Sequence, residues 1–170
     1  MKIIAQLIGV LGMAALFMSY QQTERKKLIG CKLIADIIWV IHYLMLGAVG
    51  GAIPNFVGIF RELVFMQRSD ENKKWAKSPV IPIIFILINW TLAIITWKSA
   101  LSLLPICAST FVTISLWVKN PKLTRTIGAP VSVAFIIYDI FVGSWIGIIN
   151  ESVALVSIIT SYIKNDRKNN

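Results

Sequence analysis

Long apolar runs alternate with short polar gaps along the whole chain. Windows of about twenty apolar residues are long enough to cross a bilayer as a helix, and they predict seven spans. Spans three and seven are shorter than the others, and the connections are too tight to hold a separate soluble domain. The predicted spans cover roughly residues 3–20, 28–47, 52–67, 79–97, 100–118, 127–145 and 149–163.

Basic residues occupy mainly every second gap between these spans. Lys and Arg collect on the cytoplasmic side of membrane proteins, so the alternation both counts the helices and orients them. It predicts an N-terminus outside and a C-terminus in the cytoplasm, whereas any six-span arrangement would send at least one basic patch outside. Thirteen of the 17 Lys and Arg residues lie in four patches, which are Arg25–Lys27, Arg68–Lys77, Lys119–Arg125 and Lys164–Lys168.

The composition agrees with a membrane protein. Only 15% of the residues are charged and 56% are hydrophobic, whereas a soluble domain carries about 25% charged residues. The net charge of +9 comes from short loops between apolar runs and not from one groove or helix face. We therefore expect anionic lipid headgroups at the cytoplasmic face, and not nucleic acid, as the partner of these charges.

The motifs of common enzyme classes are absent from the sequence. It contains no Walker loop, nucleophile elbow, HExxH motif or Gly-rich dinucleotide motif. Cys31 and Cys107 fall inside predicted spans, without a CxxC motif or a histidine at ligand spacing, and are expected to fill apolar space. The sequence therefore predicts no enzyme activity, cofactor or metal site.

An internal repeat appears when the first 74 residues are laid on the last 74 at an offset of 96. The overlay places Gly47 on Gly143 and Asn55 on Glu151. Identity is low, and the common layout is the stronger evidence. Each half has a long span, a basic loop, a long span, a Gly-x-x-x-Gly segment and a polar-headed span in the same order. The glycine segments are expected to form tight turns or close helix contacts.

This layout predicts an all-α membrane protein of seven transmembrane helices, arranged as two parallel three-helix units joined by one helix (3+1+3). A unit of three helices ends on the side opposite to its start, so a connecting helix is needed to make the units parallel. The predicted segments are a first unit with its exit loop at 1–74, a connecting helix at 79–97, a second unit at 98–165 and a basic cytoplasmic tail at 166–170.

Charged residues inside spans two and three are candidates for function, because polar groups in a bilayer are costly unless they are paired or face water. Asp36 and Arg61 lie at similar depth, and an ion pair between them is expected. Glu62 is not expected to pair with Arg61, since adjacent helical residues do not face each other. Lys32, one turn before Asp36, can compete for it or extend towards the cytoplasm. These charges either lock the helices together or line a water-filled cavity.

Other polar residues allow two interpretations each. Asp139 in span six has no basic residue in the apolar core of its unit, so it either takes up a proton or faces water. His42 is either a proton acceptor or a hydrogen-bonded contact between helices. Asn55 and Glu151 either flank a central pathway or sit at helix N-termini near headgroup water. Trp39 lies deep in span two, where it could line a cavity.

The main hypothesis is a pathway for a small solute, with no catalytic and no metal-binding residue. The residues expected around this pathway are Asp36, Trp39, His42, Asn55, Arg61, Glu62, Asp139 and Glu151.

Three segments carry a resemblance to a known family. They are residues 39–43 (WVIHY) running into Leu46–Ala48, residues 55–61 with Phe65, and residues 138–144 of the second half. Together they resemble the YgjV-type inner-membrane proteins of bacteria, which are small multi-span proteins. The resemblance covers most of the chain. It implies a place in the bacterial cytoplasmic membrane and does not indicate a substrate.

The predicted layout is also similar to that of the SWEET and PQ-loop transporters, whose seven spans are arranged 3+1+3 with the N-terminus outside. Those proteins carry an Asn in span three and a polar residue in span seven, which would correspond to Asn55 and Glu151. This chain departs from them because span one has no proline and no Pro-Gln pair occurs. Pro105 and Pro130 are then the candidates for hinges.

Two functions follow from these patterns. The leading hypothesis is a small-solute transporter that works by alternating access between the two three-helix units. The alternative is a non-transporting interaction or regulatory protein of the membrane, whose buried charges are structural. The sequence leaves a homo-oligomer open.

Overall fold

A computed structural model describes residues 2–22, 24–68, 70–118 and 121–169, and the description leaves out the side chains of Tyr20, Gln21, Arg25, 121–125 and 161–169. Within these ranges the chain forms seven α-helices and two short 3-10 turns, with no strand. The prediction of an all-α protein with seven helices is confirmed. The helices are α1 (Lys2–Gln21), α2 (Arg25–Met45), α3 (Val49–Gln67), α4 (Val80–Ile95), α5 (Leu103–Val118), α6 (Pro121–Val142) and α7 (Trp145–Asn169).

Four helices hold an apolar stretch that is long enough to cross a membrane. These stretches are Lys2–Ser19, Lys26–Met45, Val49–Gln67 and Ala100–Val118. The apolar stretches of α4, α6 and α7 are shorter, at Val80–Ile95, Thr126–Val142 and Trp145–Thr160. Side chains are described only from Thr126 in α6 and only up to Thr160 in α7, so these two stretches are parts of longer helices.

Six of the helices form a closed ring. In the order α1, α2, α3, α5, α6 and α7 each helix packs against the next, and α7 packs against α1. Helix α4 lies outside this ring, against α3 and α5. An apolar core of α2, α3, α4 and α5 side chains, including Ile29, Phe65 and Ile106, holds the α4 side together.

The bundle is apolar outside and polar inside. Large apolar side chains such as Ile3, Ile95 and Trp145 are exposed over most of their surface, at 78%, 72% and 70%. In contrast, Asp36 and Asp139 are exposed by only 2% and 0%. A soluble monomer rarely exposes so much continuous apolar surface, whereas lipid tails can cover it. This distribution therefore fits a protein that lies in a bilayer.

Two turns, between α2 and α3 and between α6 and α7, share one geometry. Gly47 and Gly143 both have φ of +72°, a left-handed conformation that favours glycine. In both turns the N–H of the residue after the glycine donates a hydrogen bond to a carbonyl oxygen near the end of the preceding helix. Ala48 donates to Tyr43 at 2.8 Å, and Ser144 donates to Asp139 at 2.9 Å. This is the Schellman arrangement that ends many helices. We call the end of the bundle with these turns the glycine end, and the opposite end the basic end.

The second glycine of each Gly-x-x-x-Gly segment lies in a helix and not in a turn. Gly51 belongs to α3 and Gly147 to α7, and a Cβ atom at Gly51 would collide with the rings of Tyr138 and Tyr43. The two expected roles are therefore divided, since the first glycine makes the turn and the second allows close packing.

Two predicted helix starts are wrong because Gly51 and Gly147 lie inside helices and not in turns. Helix α3 begins at Val49 and not near residue 52, and α7 begins at Trp145 and not near residue 149. Helices α3 and α7 are consequently 19 and 25 residues long, and the apolar stretch of α3 is long enough to cross a membrane. A helix tolerates an internal glycine at a cost of about 1 kcal/mol, which packing at these positions offsets.

The prolines also differ from expectation. Pro105 lies in the first turn of α5, where a missing N–H is harmless, so it is not placed to act as a hinge. Pro54 and Pro130 are inside α3 and α6. A proline there removes one backbone hydrogen bond and favours a bend. The hinge candidates are therefore Pro54 and Pro130.

The basic patches are described only in part. Lys26 and Lys27 are exposed at the start of α2, and Lys74 and Lys77 are exposed in the segment between α3 and α4. The side chains of the patches at 119–125 and 164–168 lie outside the described residues.

The shared turn geometry leads to a first testable prediction. Gly47→Ala should lower the free energy of unfolding in detergent by about 1–2 kcal/mol, because a Cβ atom strains the left-handed backbone. Gly30→Ala is the matched control, since Gly30 lies in α2 with nothing within 4 Å of the added carbon, and should leave stability unchanged or slightly higher. Equal losses in thermal unfolding of both variants would contradict the assigned role of the turn.

Candidate functional site

A cavity of about 380 Å³ lies in the middle of the ring. All six ring helices contribute to its wall, and α4 does not. Its volume falls in the range of small-molecule sites. Six of the eight residues predicted around a pathway line it, namely Asp36, Trp39, Asn55, Arg61, Asp139 and Glu151. Glu62 and His42 are fully buried behind the wall.

Four charged side chains form a cluster on the α2–α3 side of the cavity. We call Lys32, Asp36, Arg61 and Glu62 the charge cluster. Lys32 Nζ lies 2.9 Å from Asp36 Oδ1 and 3.1 Å from Glu62 Oε1. Arg61 Nη2 lies 4.0 Å from Asp36 Oδ2. Two cations and two carboxylates therefore neutralise one another inside the bundle.

The expectation that Glu62 would not pair with Arg61 is wrong. Arg61 donates from Nε to Glu62 Oε2 and from Nη2 to Glu62 Oε1, both at 3.2 Å. The spacing rule concerns the directions of Cβ atoms, whereas a long arginine side chain can turn back beside its own helix. Both residues are almost completely buried, so the carboxylate needs a partner within reach. The predicted Asp36–Arg61 pair exists, but Lys32 is the closer partner of Asp36.

The charge cluster also joins α3 to the other half of the ring. Arg61 Nη1 donates to Thr113 Oγ1 at 2.8 Å and lies 3.4 Å from Ser109 Oγ, both on α5. All three guanidinium nitrogens of Arg61 therefore have partners. Neither hydroxyl group could be predicted from the sequence, because Ser and Thr are common in spans of any role.

A second set of polar contacts closes the cavity towards the glycine end. We call this set the closing layer. Tyr43 donates its hydroxyl hydrogen to Asp139 Oδ1 at 2.9 Å, which joins α2 to α6. The backbone N–H of Gly51 donates to the Tyr138 hydroxyl oxygen at 2.7 Å, which joins α3 to α6. The two tyrosine rings meet edge to face, with centroids 6.1 Å apart.

His42 completes the closing layer as a contact between helices. Its Nδ1 lies 2.7 Å from the carbonyl oxygen of Ala5, and its Nε2 lies 2.8 Å from Ser144 Oγ. A carbonyl oxygen only accepts, so Nδ1 carries a hydrogen, and in the neutral form of the ring Nε2 accepts from the Ser144 hydroxyl group. Both ring nitrogens are used, and the interpretation as a hydrogen-bonded helix contact is confirmed.

Sequence reasoning missed Gln6, which links α1 to the turn between α6 and α7. Its Nε2 donates to the carbonyl oxygen of Gly143 at 2.9 Å, and its Oε1 accepts from the N–H of Ile146 at 3.0 Å. One side chain thus satisfies backbone groups at the end of one helix and the start of the next. A glutamine inside an apolar span was the available signal.

Asp139 and Glu151 line the cavity without a cation beside them. Among the described residues, neither lies within 4.0 Å of a Lys or Arg nitrogen. Asp139 Oδ2 is buried and accepts no hydrogen bond in the part of the chain that the structure describes. Glu151 Oε1 accepts from Asn150 Nδ2 at 2.9 Å.

Asn55 and Glu151 each follow a packing glycine by one helical turn. Asn55 Nδ2 donates to the carbonyl oxygen of Gly51 at 2.8 Å, and Glu151 stands four residues after Gly147. Both lie within their helices, beyond the first turn, and line the cavity. The expectation that they are N-terminal residues beside headgroup water therefore fails, while a role in a pathway stays a prediction.

The described residues contain no group of three or more His, Cys, Asp and Glu side chains that could hold a metal ion. Cys31 and Cys107 are both free and half-buried.

Comparison with known proteins yields one match. A family model described as Imp-YgjV, bacterial inner membrane protein, matches residues 3–169. No curated protein and no solved structure matches the chain.

Proposed function

The chain belongs to the Imp-YgjV family of bacterial inner membrane proteins, and from this premise we propose that it moves a small solute across that membrane. In this proposal the α1–α3 and α5–α7 units rock against each other and expose the central cavity to one side at a time. Helix α4 connects the units without lining the path.

One observation carries this proposal, which is a polar cavity between the two units with a layer of hydrogen bonds across it at the glycine end. The closing layer joins α2 and α3 to α6 through Tyr43, Asp139 and Tyr138. Towards the basic end the wall includes apolar residues such as Leu28, Ile127 and Ile158, and Arg68 bonds across the units there, to the carbonyl oxygen of Trp117. A layer of a few hydrogen bonds between two rigid units can act as a gate, because each bond contributes only about 1–3 kcal/mol.

The 3+1+3 repeat is part of the proposal, and three features support it. The turns at Gly47 and Gly143 have the same φ and the same hydrogen bonds. The repeat makes α5 the counterpart of α1 and α7 the counterpart of α3. Accordingly, α3 packs against α5 and α7 packs against α1. Tyr43 and Asp139, which bond to each other, are 96 residues apart. Their separation equals the offset of the internal repeat, so the two residues occupy equivalent positions in the two units. Equivalent residues can touch only near the two-fold axis that relates the units.

The orientation is likewise proposed from charge. We place the glycine end outside and the basic end in the cytoplasm. The exposed residues Lys26, Lys27, Lys74 and Lys77 belong to the basic end, whereas only Lys2 and Lys98 fall at the glycine end. This bias agrees with the positive-inside rule.

A non-transporting role is the second candidate, and the charge cluster favours it. Lys32 and Arg61 neutralise Asp36 and Glu62, and Arg61 also bonds to α5. Their arrangement could therefore serve packing alone. The two functions differ in whether water and solutes reach the cavity.

Cysteine labelling tests the proposal. In a Cys31→Ala/Cys107→Ala background, Asn55→Cys and Val153→Cys would each place a thiol on the cavity wall. A membrane-impermeant maleimide should label both in inside-out vesicles and much less in spheroplasts, because the closing layer blocks the outer side. Protection of both thiols from both sides would reject a solvated pathway and favour the structural role.

Two further variants calibrate this experiment. Glu71→Cys lies in the exposed segment after α3 and should react fully in inside-out vesicles. Leu87→Cys is 60% exposed on α4, on a surface that lipid would cover, and should stay unreacted from both sides. Labelling of Glu71→Cys in spheroplasts would instead reverse the proposed orientation.

A further inference from the structure

We infer that the cavity takes a small organic cation, a primary ammonium with a short apolar tail. The inference rests on the proposed function and names the chemical class of the solute. It follows from a comparison of the charged residues on the cavity wall. Some of them are already paired with an opposite charge, and others are not.

The positive charges of the cavity are fully used. Lys32 Nζ contacts carboxylates of both Asp36 and Glu62, at 2.9 and 3.1 Å. Arg61 uses Nε, Nη1 and Nη2 on Glu62 and on hydroxyl groups of α5. An anionic solute would have to compete with these buried carboxylates, and breaking buried pairs is costly. The charge cluster therefore does not offer a site for an anion.

The carboxylates of the opposite wall are not paired with a cation among the described residues. Asp139 and Glu151 have no cation within 4.0 Å among the residues that the structure describes. Asp139 is 0% exposed, and its Oδ2 accepts no hydrogen bond there. A buried carboxylate oxygen without a partner is costly to keep, and an ammonium group in the cavity would supply a compensating charge.

The two carboxylates lie along one strip of the wall. A Cβ atom on Gly147 would collide with Asp139 Oδ2, so this oxygen lies directly beside Gly147 of α7. Glu151 follows Gly147 by four residues and so occupies the same face of α7 one turn further on. Both residues line the cavity, and Glu151 is the more exposed of the two, so an ammonium group in the cavity would contact the Glu151 carboxylate and place its charge beside Asp139.

The remaining wall suits the rest of such a solute. Trp39 and Tyr43 offer aromatic surface near the carboxylates, and aromatic rings attract cations. Leu16, Phe135 and Val153 line the same cavity and offer apolar surface for a short alkyl tail. The combination of a convergent polar end and an apolar wall is typical of small-molecule sites.

Thermal unfolding of the purified full-length protein in detergent tests the inference with three probes of similar length. Butylammonium is cationic, pentanamide is neutral and pentanoate is anionic. We expect butylammonium to raise the melting temperature in a concentration-dependent way, since a ligand that binds only the folded state stabilises it. Pentanamide and pentanoate should need at least about tenfold higher concentration for the same rise.

Two variants assign the effect to the cavity wall. Glu151→Gln and Asp139→Asn should each raise the butylammonium concentration needed by about tenfold, while both keep side chains of the same shape. Glu71→Gln, in an exposed segment, is the matched control and should respond as the wild type does. Having two variants keeps the test valid if one of them folds poorly.

The inference is overturned if pentanoate or pentanamide stabilises the protein as well as butylammonium does, or if none of the three has an effect. It is also overturned if both cavity variants respond like the wild type. These outcomes leave the transport proposal standing, because that proposal depends on cysteine labelling of the cavity and not on the charge of the solute.

Discussion

Arg61→Ala is expected to lower the free energy of unfolding by about 3–5 kcal/mol, the loss typical of removing one partner from a buried ion pair. Arg61 is 2% exposed, and its removal leaves Glu62, which is 0% exposed, with Lys32 as its only cation. Lys32 must then serve two carboxylates, and the cluster acquires a net negative charge. Chemical unfolding in detergent, followed by tryptophan fluorescence, measures this loss.

A double variant separates the charge effect from packing. Arg61→Leu/Glu62→Leu removes one cation and one anion together and leaves the Lys32–Asp36 pair, at 2.9 Å, intact. The neutral cluster should recover at least half of the stability that Arg61→Ala loses, because a buried pair can be replaced by apolar residues at little cost. Such a recovery is the strong coupling expected of residues in contact.

An exposed ion pair provides the control. Lys27 and Glu24 form a pair at 3.0 Å whose side chains are 68% and 54% exposed, and Lys27→Ala should leave stability nearly unchanged. If Arg61→Ala is as stable as Lys27→Ala, water reaches the charge cluster and screens it. In that case the cluster belongs to a solvated pathway and does not lock the packing.

Tyr43→Phe should open the cavity towards the glycine end. The variant removes the bond to Asp139 Oδ1 and leaves both oxygens of that carboxylate without a described protein donor. A hydrogen bond to a charged group contributes about 1.5–3 kcal/mol, so the population of the opened state should rise by about 10- to 100-fold. The measurement is the rate at which impermeant maleimide labels Asn55→Cys in spheroplasts.

Two comparisons sharpen this test. Asp139→Asn keeps an oxygen that can accept from Tyr43, so the labelling rate should rise less than in Tyr43→Phe. Thr160→Val removes a hydroxyl group that bonds within its own helix, to Val156 at 2.8 Å on the exposed surface, and should not change the rate. A Tyr43→Phe protein that labels no faster than the Thr160→Val protein would show that the closing layer is not a gate.

Helix number and fold class could be predicted from the sequence because they depend on local composition. Each apolar window has to be helical in a bilayer, since backbone groups there must bond within their own segment. The same windows misplaced the starts of α3 and α7, because Gly51 and Gly147 look like turn residues. Only packing shows that these glycines sit inside helices, against tyrosine rings and Asp139.

The polar residues illustrate a similar division. An intramembrane charge signals that a partner or water is near, and on that basis four residues of the cavity wall could be predicted, namely Asp36, Arg61, Asp139 and Glu151. The partners were harder to predict, because the reach of a long side chain depends on its surroundings. Arg61 turns to its neighbour Glu62 and to Thr113, and neither contact follows from helical spacing.

The sequence by itself determined that this is an all-α membrane protein with seven helices and charges buried among them, because each of these features depends on the chemistry of one segment at a time. The tertiary structure alone decided that Tyr43 of one half meets Asp139 of the other, that the charge cluster is neutral, and that Asp139 and Glu151 stay without a cation among the described residues. These depend on how helices far apart in the chain pack together. Hydrogen bonds and ion pairs act over a few ångströms, and no local pattern specifies which distant residues come that close.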